Sequence, residues 1–266
     1  MIPLENIAVQ AAHAGGDVII RSLNRVHMLK VKSKGRNDYV TDVDRFAEEK
    51  IISVIRKAYP GHRFIGEESG QSGGSDDEVE WIIDPIDGTT NFIHGFPMIS
   101  VSIAARLRGR LEVGVIYDPL RQELFTASRG NGAMLDNRKI RVTSPSSLEG
   151  CLVGTGFPYR ENVAHLDAYL GMLRSISLKA AGIRRGGSAA LDLAYVAAGR
   201  LDGFWELGLK LWDIAAGEII IREAGGLISD IDGNETHRET GNVVAGSPKV
   251  FREILRSVAP FANELA

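Results

Sequence analysis

Apolar residues recur at spacings of three and four in two segments near the start of the chain, residues 4–23 and 42–59. Apolar positions that fall on one side of a 3.6-residue period are typical of an amphipathic helix. Both segments are therefore predicted to be helices that bury one face. In the second segment that face carries Val43, Phe46, Ala47, Ile51, Val54, Ile55 and Ala58.

The pattern changes after the second helix. A short strand over residues 63–65 leads into GEES (66–69), and the Gly-, Ser- and acid-rich residues 70–78 predict a mobile loop. Further along, segments rich in Val, Ile, Phe and Tyr are separated by Arg-Gly and Asp-Pro breaks. These segments predict an antiparallel meander over residues 98–107, 111–119 and 123–130.

The second half of the chain alternates helical and strand patterns without an internal repeat. We therefore expect one α/β domain over residues 1–266, with an α+β part (about 1–145), an α/β part (about 146–266), and two sheets with helices between and outside them. The predicted helices cover 162–178, 188–198, 212–224 and 248–258. The predicted strands lie near 151–155, 202–206, 226–230 and 242–246.

Composition narrows the class of protein. With 44% hydrophobic and 24% charged residues, the 266-residue chain has the profile of a globular protein, and its net charge of -3 gives no general reason to bind nucleic acid. The lone Cys151 favours a reducing compartment. The first helix carries Glu5 and Asp17 and does not read as a signal peptide. No apolar stretch reaches the roughly 18 residues of a membrane span, so we expect a cytoplasmic protein.

Acidic residues gather at strand ends and at a helix start in three segments: GEES (66–69), DPIDGTT (84–90) and LWDIAAGEIIIREAGG (211–226). Asp84 and Asp87 would repel each other unless a cation lay between them. Mg²⁺ prefers hard oxygen ligands, and two such ions about 4 Å apart can assist an in-line displacement at phosphorus. We therefore predict a magnesium site here, with phosphate bound at the Gly88 turn.

Each acid also has an ordinary interpretation. Glu67 could be a solvated loop acid, Asp87 a turn residue, and Asp213 the cap of the helix that follows it. Asp84 is harder to explain in this way, because Pro85 removes a backbone donor that could have completed a turn. The segment DPIDGTT as a whole is far more specific than any of its residues.

These segments resemble the signature segments of the inositol monophosphatase family, and DPIDGTTNF is close to its diagnostic motif. The resemblance runs end to end, including NDYVTDVD (37–44) and GGSAALDLAYVAAGRLDGFWE (186–206), and is closest to the bacterial SuhB-like branch. It implies a five-layer α-β-α-β-α sandwich and a lithium-sensitive phosphomonoesterase with two or three Mg²⁺. Such an enzyme hydrolyses myo-inositol 1-phosphate and related polyol monophosphates by direct attack of a metal-activated water.

The resemblance also implies roles for individual residues. The implied metal ligands are Glu67, Asp84, the Ile86 carbonyl, Asp87 and Asp213. The implied catalytic residues are Glu67 and the pair Thr89 and Asp44, which would orient and deprotonate the attacking water. On the residues alone, Thr41-x-x-Asp44 is more typical of a capping box. The implied substrate contacts are Gly88 and Thr89 to phosphate, Gly187, Ser188 and Ala189 on the sugar side, and Glu206 to inositol hydroxyls.

Two alternatives stay open. Relatives resembling this chain hydrolyse fructose 1,6-bisphosphate, histidinol phosphate or phosphoadenosine phosphate. The choice of substrate depends on loops around 157–170 and 184–190. Glu206 favours a polyol, unless it is a plain exposed acid.

The SuhB-like branch also implies a non-enzymatic role in ribosomal RNA transcription antitermination, through a Nus factor and RNA polymerase. The basic segment 30–36 could contact RNA or an acidic partner, or form a solvated loop. The family also suggests a homodimer.

Overall fold

Two β-sheets and the helices around them organise the chain in the computed structural model, which describes residues 2–23, 25, 32–35, 38–74, 79–158 and 164–265. The helices, in chain order, are α1 (Pro3–Leu23), α2 (Asp42–Ala58), α3 (Thr89–His94), α4 (Leu166–Ser177), α5 (Ala189–Ala197), α6 (Leu211–Glu223), α7 (His237–Thr240) and α8 (Pro248–Val258), followed by a 3₁₀ helix (Ala259–Leu265).

The larger sheet has eight strands within the described residues, and its central part is the predicted meander. Neighbouring strands are antiparallel except for β3 and β5, which run parallel. In spatial order the strands are β10 (Arg138–Ile140), β9 (Gly132–Leu135), β8 (Glu123–Ser128), β7 (Arg110–Asp118), β6 (Ser100–Leu107), β5 (Val79–Asp87), β3 (Arg63–Gly66) and β4 (Gly70–Gly73).

The smaller sheet is mixed, with β11 parallel to both of its neighbours and β15 antiparallel to both of its own. Its spatial order is β12 (Gly182–Arg184), β11 (Leu152–Thr155), β13 (Gly203–Glu206), β15 (Val243–Gly246) and β14 (Leu227–Ser229). A separate antiparallel hairpin joins β1 (Lys32–Gly35) to β2 (Asp38–Val40).

The layers stack as α-β-α-β-α. The pair α1 and α2 covers the outer face of the larger sheet, and α5 and α6 lie between the two sheets. The pair α4 and α8 covers the outer face of the smaller sheet. Because α5 and α6 have neighbours on both sides, their side chains are apolar almost all round, as expected of buried helices. The predicted layered fold is confirmed.

Some local predictions were wrong. Residues 70–73 form strand β4 rather than a loop, because they pair with β3, while 75–78 lie outside the described residues. Of the basic segment 30–36, residues 32–35 form strand β1 instead of a solvated loop, and the rest is outside the described part. Phe46 is 60% exposed, because it lies at the margin of the apolar stripe of α2. Within the described residues, no helix has the length and apolar character needed to cross a membrane.

Candidate metal and phosphate site

A β-bulge brings two of the predicted acids to the same side of strand β5. Asp84 pairs with Ser102 and Asp87 pairs with Ser100, so three steps along β5 face two steps along β6. In a regular strand, residues three apart point to opposite faces, and the extra residue of a bulge corrects this. Pro85 occupies the bulge, a position where the lack of a backbone donor is tolerated. The Asp-Pro-Ile-Asp sequence therefore aims both carboxylates at one place.

Helix α6 supplies the third acid of the cluster. The Ser102 hydroxyl donates to the Trp212 carbonyl at 3.0 Å, which ties the start of α6 to strand β6 opposite Asp84. Asp213 follows Trp212, and its Oδ2 accepts from the Lys210 backbone N–H at 2.7 Å. Carboxylate oxygens of Asp84, Asp87 and Asp213 then lie within 4.8 Å of one another. Asp213 therefore caps its helix and faces the other two acids.

Glu67 approaches the same cluster from the neighbouring strand. Its backbone N–H donates to the Ile83 carbonyl at 3.1 Å, so the GEES turn continues the pairing of β3 with β5. The Glu67 side chain is within hydrogen-bonding range of Asp84, and its charge helps to raise the pKa of that carboxyl. The predicted ligand Ile86 is buried; its N–H donates to Asp84 Oδ1 at 2.9 Å and its carbonyl accepts from the Thr89 hydroxyl at 3.1 Å.

Asp87 is held by the start of helix α5. Its Oδ2 accepts from the Ser188 hydroxyl at 2.6 Å and from the Ala190 backbone N–H at 2.7 Å. The Ser188 side chain is fully buried and does not line the cavity described below, although we predicted that it would contact substrate. Its hydroxyl instead bonds Asp87 and caps α5 through the Leu191 N–H. Ser188 thus supports a candidate metal ligand.

Asp44 forms the capping box that the sequence indicated and also contacts Thr89. Its Oδ2 accepts from the backbone N–H of Thr41 at 2.8 Å and from the Thr41 hydroxyl at 2.6 Å, completing a capping box at the start of α2. Its Oδ1 accepts from the Thr89 hydroxyl at 3.0 Å. The capping interaction therefore fixes the carboxylate that Thr89 contacts.

Gly88 makes the turn between β5 and α3. Its φ of 98° is in the region that favours glycine, and a Cβ atom there would lie 2.7 Å from the Met98 carbonyl oxygen. The side chain of Asn91 then joins this turn to the segment before helix α5, because it donates to the carbonyls of Met98 at 2.7 Å and Gly186 at 3.0 Å.

A cavity of about 470 Å³ opens over these groups. It brings together the predicted residues Glu67, Asp84, Ile86, Asp87, Gly88, Thr89, Gly187, Ala189, Glu206 and Asp213. Four further lining residues, Phe157, Pro158, Arg185 and Leu209, were not assigned from the sequence, although the loops around 157–170 and 184–190 were expected to shape substrate choice. The other two are Thr90 and His94, within and just after the DPIDGTT segment.

The charge of this cavity is strongly negative. Burial, with the charges of Glu67, Asp87 and Asp213, raises the pKa of Asp84 well above its usual range. Burial and the Asp213 charge raise the pKa of Asp87 to about 7, although hydrogen bonds from Ser188 and Ala190 act in the opposite direction. Closely spaced carboxylates with raised pKa values attract either protons or a cation. Their hard oxygen donors fit a divalent metal ion such as Mg²⁺.

The part of the cavity around Glu206 also has buried carboxyls. Glu206 ends β13 and is buried, so it is not the exposed acid of the alternative interpretation; burial, with the charges of Asp192 and Asp213, raises the pKa of its carboxyl well above the usual range. Arg185 is the one Arg or Lys that the described residues contribute to the cavity lining. Its guanidinium lies 6.0 Å from the centre of the Phe157 ring.

The model of the inositol monophosphatase family matches residues 1–263. The chain belongs to the inositol monophosphatase family. Nus factor SuhB of Pseudomonas aeruginosa is 53% identical over 263 residues, which cover 98% of this chain and 97% of that protein. A family structure, extragenic suppressor protein suhB from Bartonella henselae, is 44% identical with a TM-score of 0.94, covering 97% of this chain and 98% of that one.

A further member of the family is inositol monophosphatase from Anabaena (Nostoc) sp. PCC 7120, which is 36% identical. Its structure matches with a TM-score of 0.83, over 97% of this chain and 95% of that chain. Family membership makes this a phosphatase-family protein, and the predicted SuhB-like resemblance is confirmed. The buried acidic cluster is its candidate metal site.

Proposed function

We propose that this protein is a Mg²⁺-dependent phosphomonoesterase that hydrolyses inositol 1-phosphate and related polyol monophosphates. The observation that carries the proposal is the meeting of Asp84, Asp87 and Asp213, with carboxylate oxygens within 4.8 Å of one another, at the floor of a cavity. The hydrogen-bonded pair Thr89 and Asp44 lies at the same place. Buried anions, a hydroxyl–carboxylate pair and a glycine turn are the parts that phosphate-ester hydrolysis requires.

The metal would be held by the three aspartates together with Glu67 and the carbonyl of Ile86. When bound, Mg²⁺ would supply Lewis-acid polarisation of the phosphate and of the attacking water, and it would reverse the negative charge of the site. The protein contributes a rigid arrangement of the donors, since the β5 bulge, the Ser188 hydroxyl and the Lys210 N–H each fix one carboxylate. Fixed donors keep their spacing when substrate enters.

The attacking water would be oriented by Thr89. Its hydroxyl proton points to Asp44 Oδ1 or to the Ile86 carbonyl, at 3.0 and 3.1 Å, so the oxygen lone pairs are left to accept a hydrogen bond from water. As the water attacks phosphorus, its proton can pass to Thr89 while the Thr89 proton passes to Asp44. Water, rather than a side chain, is then the nucleophile, and no covalent phosphoenzyme forms.

The substrate would span the cavity from Gly88 to Glu206. Backbone N–H groups of Gly88 and Thr89, at the start of α3, would bind phosphate oxygens. Glu206 lines the same cavity and can accept hydrogen bonds from polyol hydroxyls, which is the main support for a polyol ester. The Anabaena relative, named inositol monophosphatase, agrees with this class of substrate.

Phosphate release from a panel of monoesters, with Mg²⁺, with EDTA, and with Mg²⁺ plus lithium, tests the proposal. We expect activity only with Mg²⁺, inhibition by lithium, and a preference for inositol 1-phosphate over histidinol phosphate and fructose 1,6-bisphosphate. Equal release in EDTA would overturn the metal-dependent mechanism. A folded protein without activity on any ester would overturn the enzymatic proposal.

A second candidate function is that of a Nus factor in transcription antitermination. The observation that favours it is the 53% identity to a protein named Nus factor SuhB, over nearly the whole of both chains. The function would require contacts with a Nus factor and RNA polymerase and a cytoplasmic location. Separately from this role, the family resemblance suggests a homodimer. Co-purification of RNA polymerase with the tagged wild-type protein, under crosslinking and from its own cells, tests this role. Enrichment of the polymerase over an untagged control is expected if the protein has this role, and no enrichment would contradict it.

A further inference from the structure

Glu48 lies beneath the GEES turn, one helical turn after Asp44 on α2, and is only 2% exposed. Its Oε2 accepts from the Glu68 backbone N–H at 2.9 Å, and its Oε1 accepts from the Ser69 N–H at 2.8 Å. Each carboxylate oxygen therefore holds one of two successive backbone donors of the turn.

The Glu48 carboxylate packs so closely against this turn that no side chain fits at Gly66. A Cβ atom added to Gly66 would lie 2.5 Å from Glu48 Oε2, well inside van der Waals contact. The turn carries Glu67, whose own N–H is bound to the Ile83 carbonyl. Glu67 is thus fixed by strand β5 on one side and by Glu48 on the other.

The choice of a carboxylate at this buried position is informative. Burying a charge is costly unless strong hydrogen bonds offset it, and an ionised Glu is an acceptor on both oxygens. Two N–H donors need such a group, because a Gln would turn its NH₂ toward one of them. Charge-assisted bonds of this kind hold a backbone more firmly than neutral ones.

We propose that Glu48 is a positioning residue that fixes Glu67 as a metal ligand. This inference rests on the proposed function, in which Glu67 binds Mg²⁺. Residues that orient metal ligands through hydrogen bonds typically change metal affinity by about 10–100-fold when they are substituted. Helix α2 would then carry two residues that act at the site: Asp44, which helps to orient the attacking water, and Glu48, which fixes the GEES turn.

The test is a titration of the metal-free protein with Mn²⁺, which takes the same oxygen ligands as Mg²⁺. Electron paramagnetic resonance measures the Mn²⁺ that stays free. We expect Glu48→Gln to weaken binding by about 10-fold or more. Glu49→Gln is the matched control, because it removes the same charge from the next, exposed position of α2 and should leave binding unchanged. Amide hydrogen exchange should also become faster at Glu68 and Ser69 in Glu48→Gln alone.

Gly66→Ala tests the contact from the turn side. The added methyl group should push the Glu48 carboxylate away from the turn and weaken Mn²⁺ binding in the same direction, without changing any charge. This variant also decides the matter if Glu48→Gln does not fold. Glu67→Gln in the same titration gives the loss expected when the ligand itself is changed.

Three results are distinguishable. Weaker binding in Glu48→Gln and Gly66→Ala, with Glu49→Gln at the wild-type affinity, supports the inference. Wild-type affinity in Glu48→Gln, with a clear loss in Glu67→Gln, overturns the inference and leaves the proposed function intact. A wild-type protein that binds no Mn²⁺ overturns the proposed function, and the inference with it.

Discussion

The Thr89 hydroxyl donates to Asp44 Oδ1 at 3.0 Å and so connects the start of α3 with the first turn of α2. The other oxygen of Asp44 is bound by Thr41. A carboxylate fixed on one side by a helix cap can therefore orient a hydroxyl on the other. This relationship joins a local folding signal to the proposed chemistry.

Thr89→Ala should lower the rate of phosphate release by about 10²–10⁴-fold, the usual contribution of a positioned proton acceptor. Thr89→Ser keeps the hydroxyl and should retain most of the activity. Mn²⁺ affinity should be the same in both, because the carboxylates of the candidate metal site are unchanged. The measurement is the rate at saturating inositol 1-phosphate. Equal rates in Thr89→Ala and Thr89→Ser would refute the proposed role of the hydroxyl.

Asp87→Asn should abolish hydrolysis while the fold is retained. The substitution removes one of three clustered charges, and the amide can still occupy the space near Ser188 and Ala190. Phosphate release and circular dichroism, measured on one preparation, check both expectations. If the protein also acts as a Nus factor, Asp87→Asn should still co-purify with RNA polymerase. Hydrolysis at the wild-type rate would show that Asp87 is not a metal ligand.

Glu206→Leu should raise KM for inositol 1-phosphate by up to about 10-fold, because it removes a hydrogen bond to a substrate hydroxyl that contributes roughly 0.5–1.5 kcal/mol. An aryl phosphate without hydroxyl groups should be hydrolysed with nearly unchanged KM. Comparing the two substrates separates recognition of the polyol from general damage to the site. A parallel rise of KM for both substrates would argue against a specific contact with hydroxyls.

Metal should stabilise the protein more at high pH than at low pH. Asp87 has its pKa raised to about 7 in the folded, metal-free protein, against about 3.9 in an unfolded chain. Between about pH 3.9 and pH 7 the folded state therefore binds one more proton at Asp87 than the unfolded state does. One such group lowers the free energy of unfolding by up to about 1.4 kcal/mol per pH unit as pH rises through this window.

Above about pH 7 the Asp87 carboxylate is ionised and can bind a cation instead. Thermal melting with excess Mg²⁺ and with EDTA, at about pH 5.5 and about pH 8, measures the difference. We expect the Mg²⁺-dependent rise in Tm to be larger at the higher pH and to be much reduced in Asp87→Asn. An equal rise at both values would contradict the assignment of Asp87 to the cation site.

Much of the layered fold could be predicted from periodicity. The helices around 4–23 and 42–59 and the meander over 98–130 follow from local patterns. The strand at 70–73 could not be predicted in this way, because Gly and Ser have little strand preference and the segment becomes a strand only by pairing with β3. Short edge strands such as β12 have the same origin.

Most residues of the candidate site that were named from the sequence line one cavity, but their geometry could not be predicted. The motif names Asp84 and Asp87 but not the bulge that turns both to one side. The burial of Ser188 and the hydrogen bonds between Glu48 and the GEES turn depend on contacts between distant segments, which no local pattern contains. For Asp44, the sequence offered a cap or a catalytic residue. The structure shows the cap and a contact with Thr89, and the catalytic role stays a prediction.

The central claim is that the acidic cluster binds metal ions that serve hydrolysis. Anomalous X-ray diffraction from a crystal of this protein grown with Mn²⁺ tests it most directly. We expect at least one peak in contact with Asp84, Asp87 and Asp213, and a second about 4 Å away beside Glu67. A well-ordered map with no peak at these carboxylates would contradict the account.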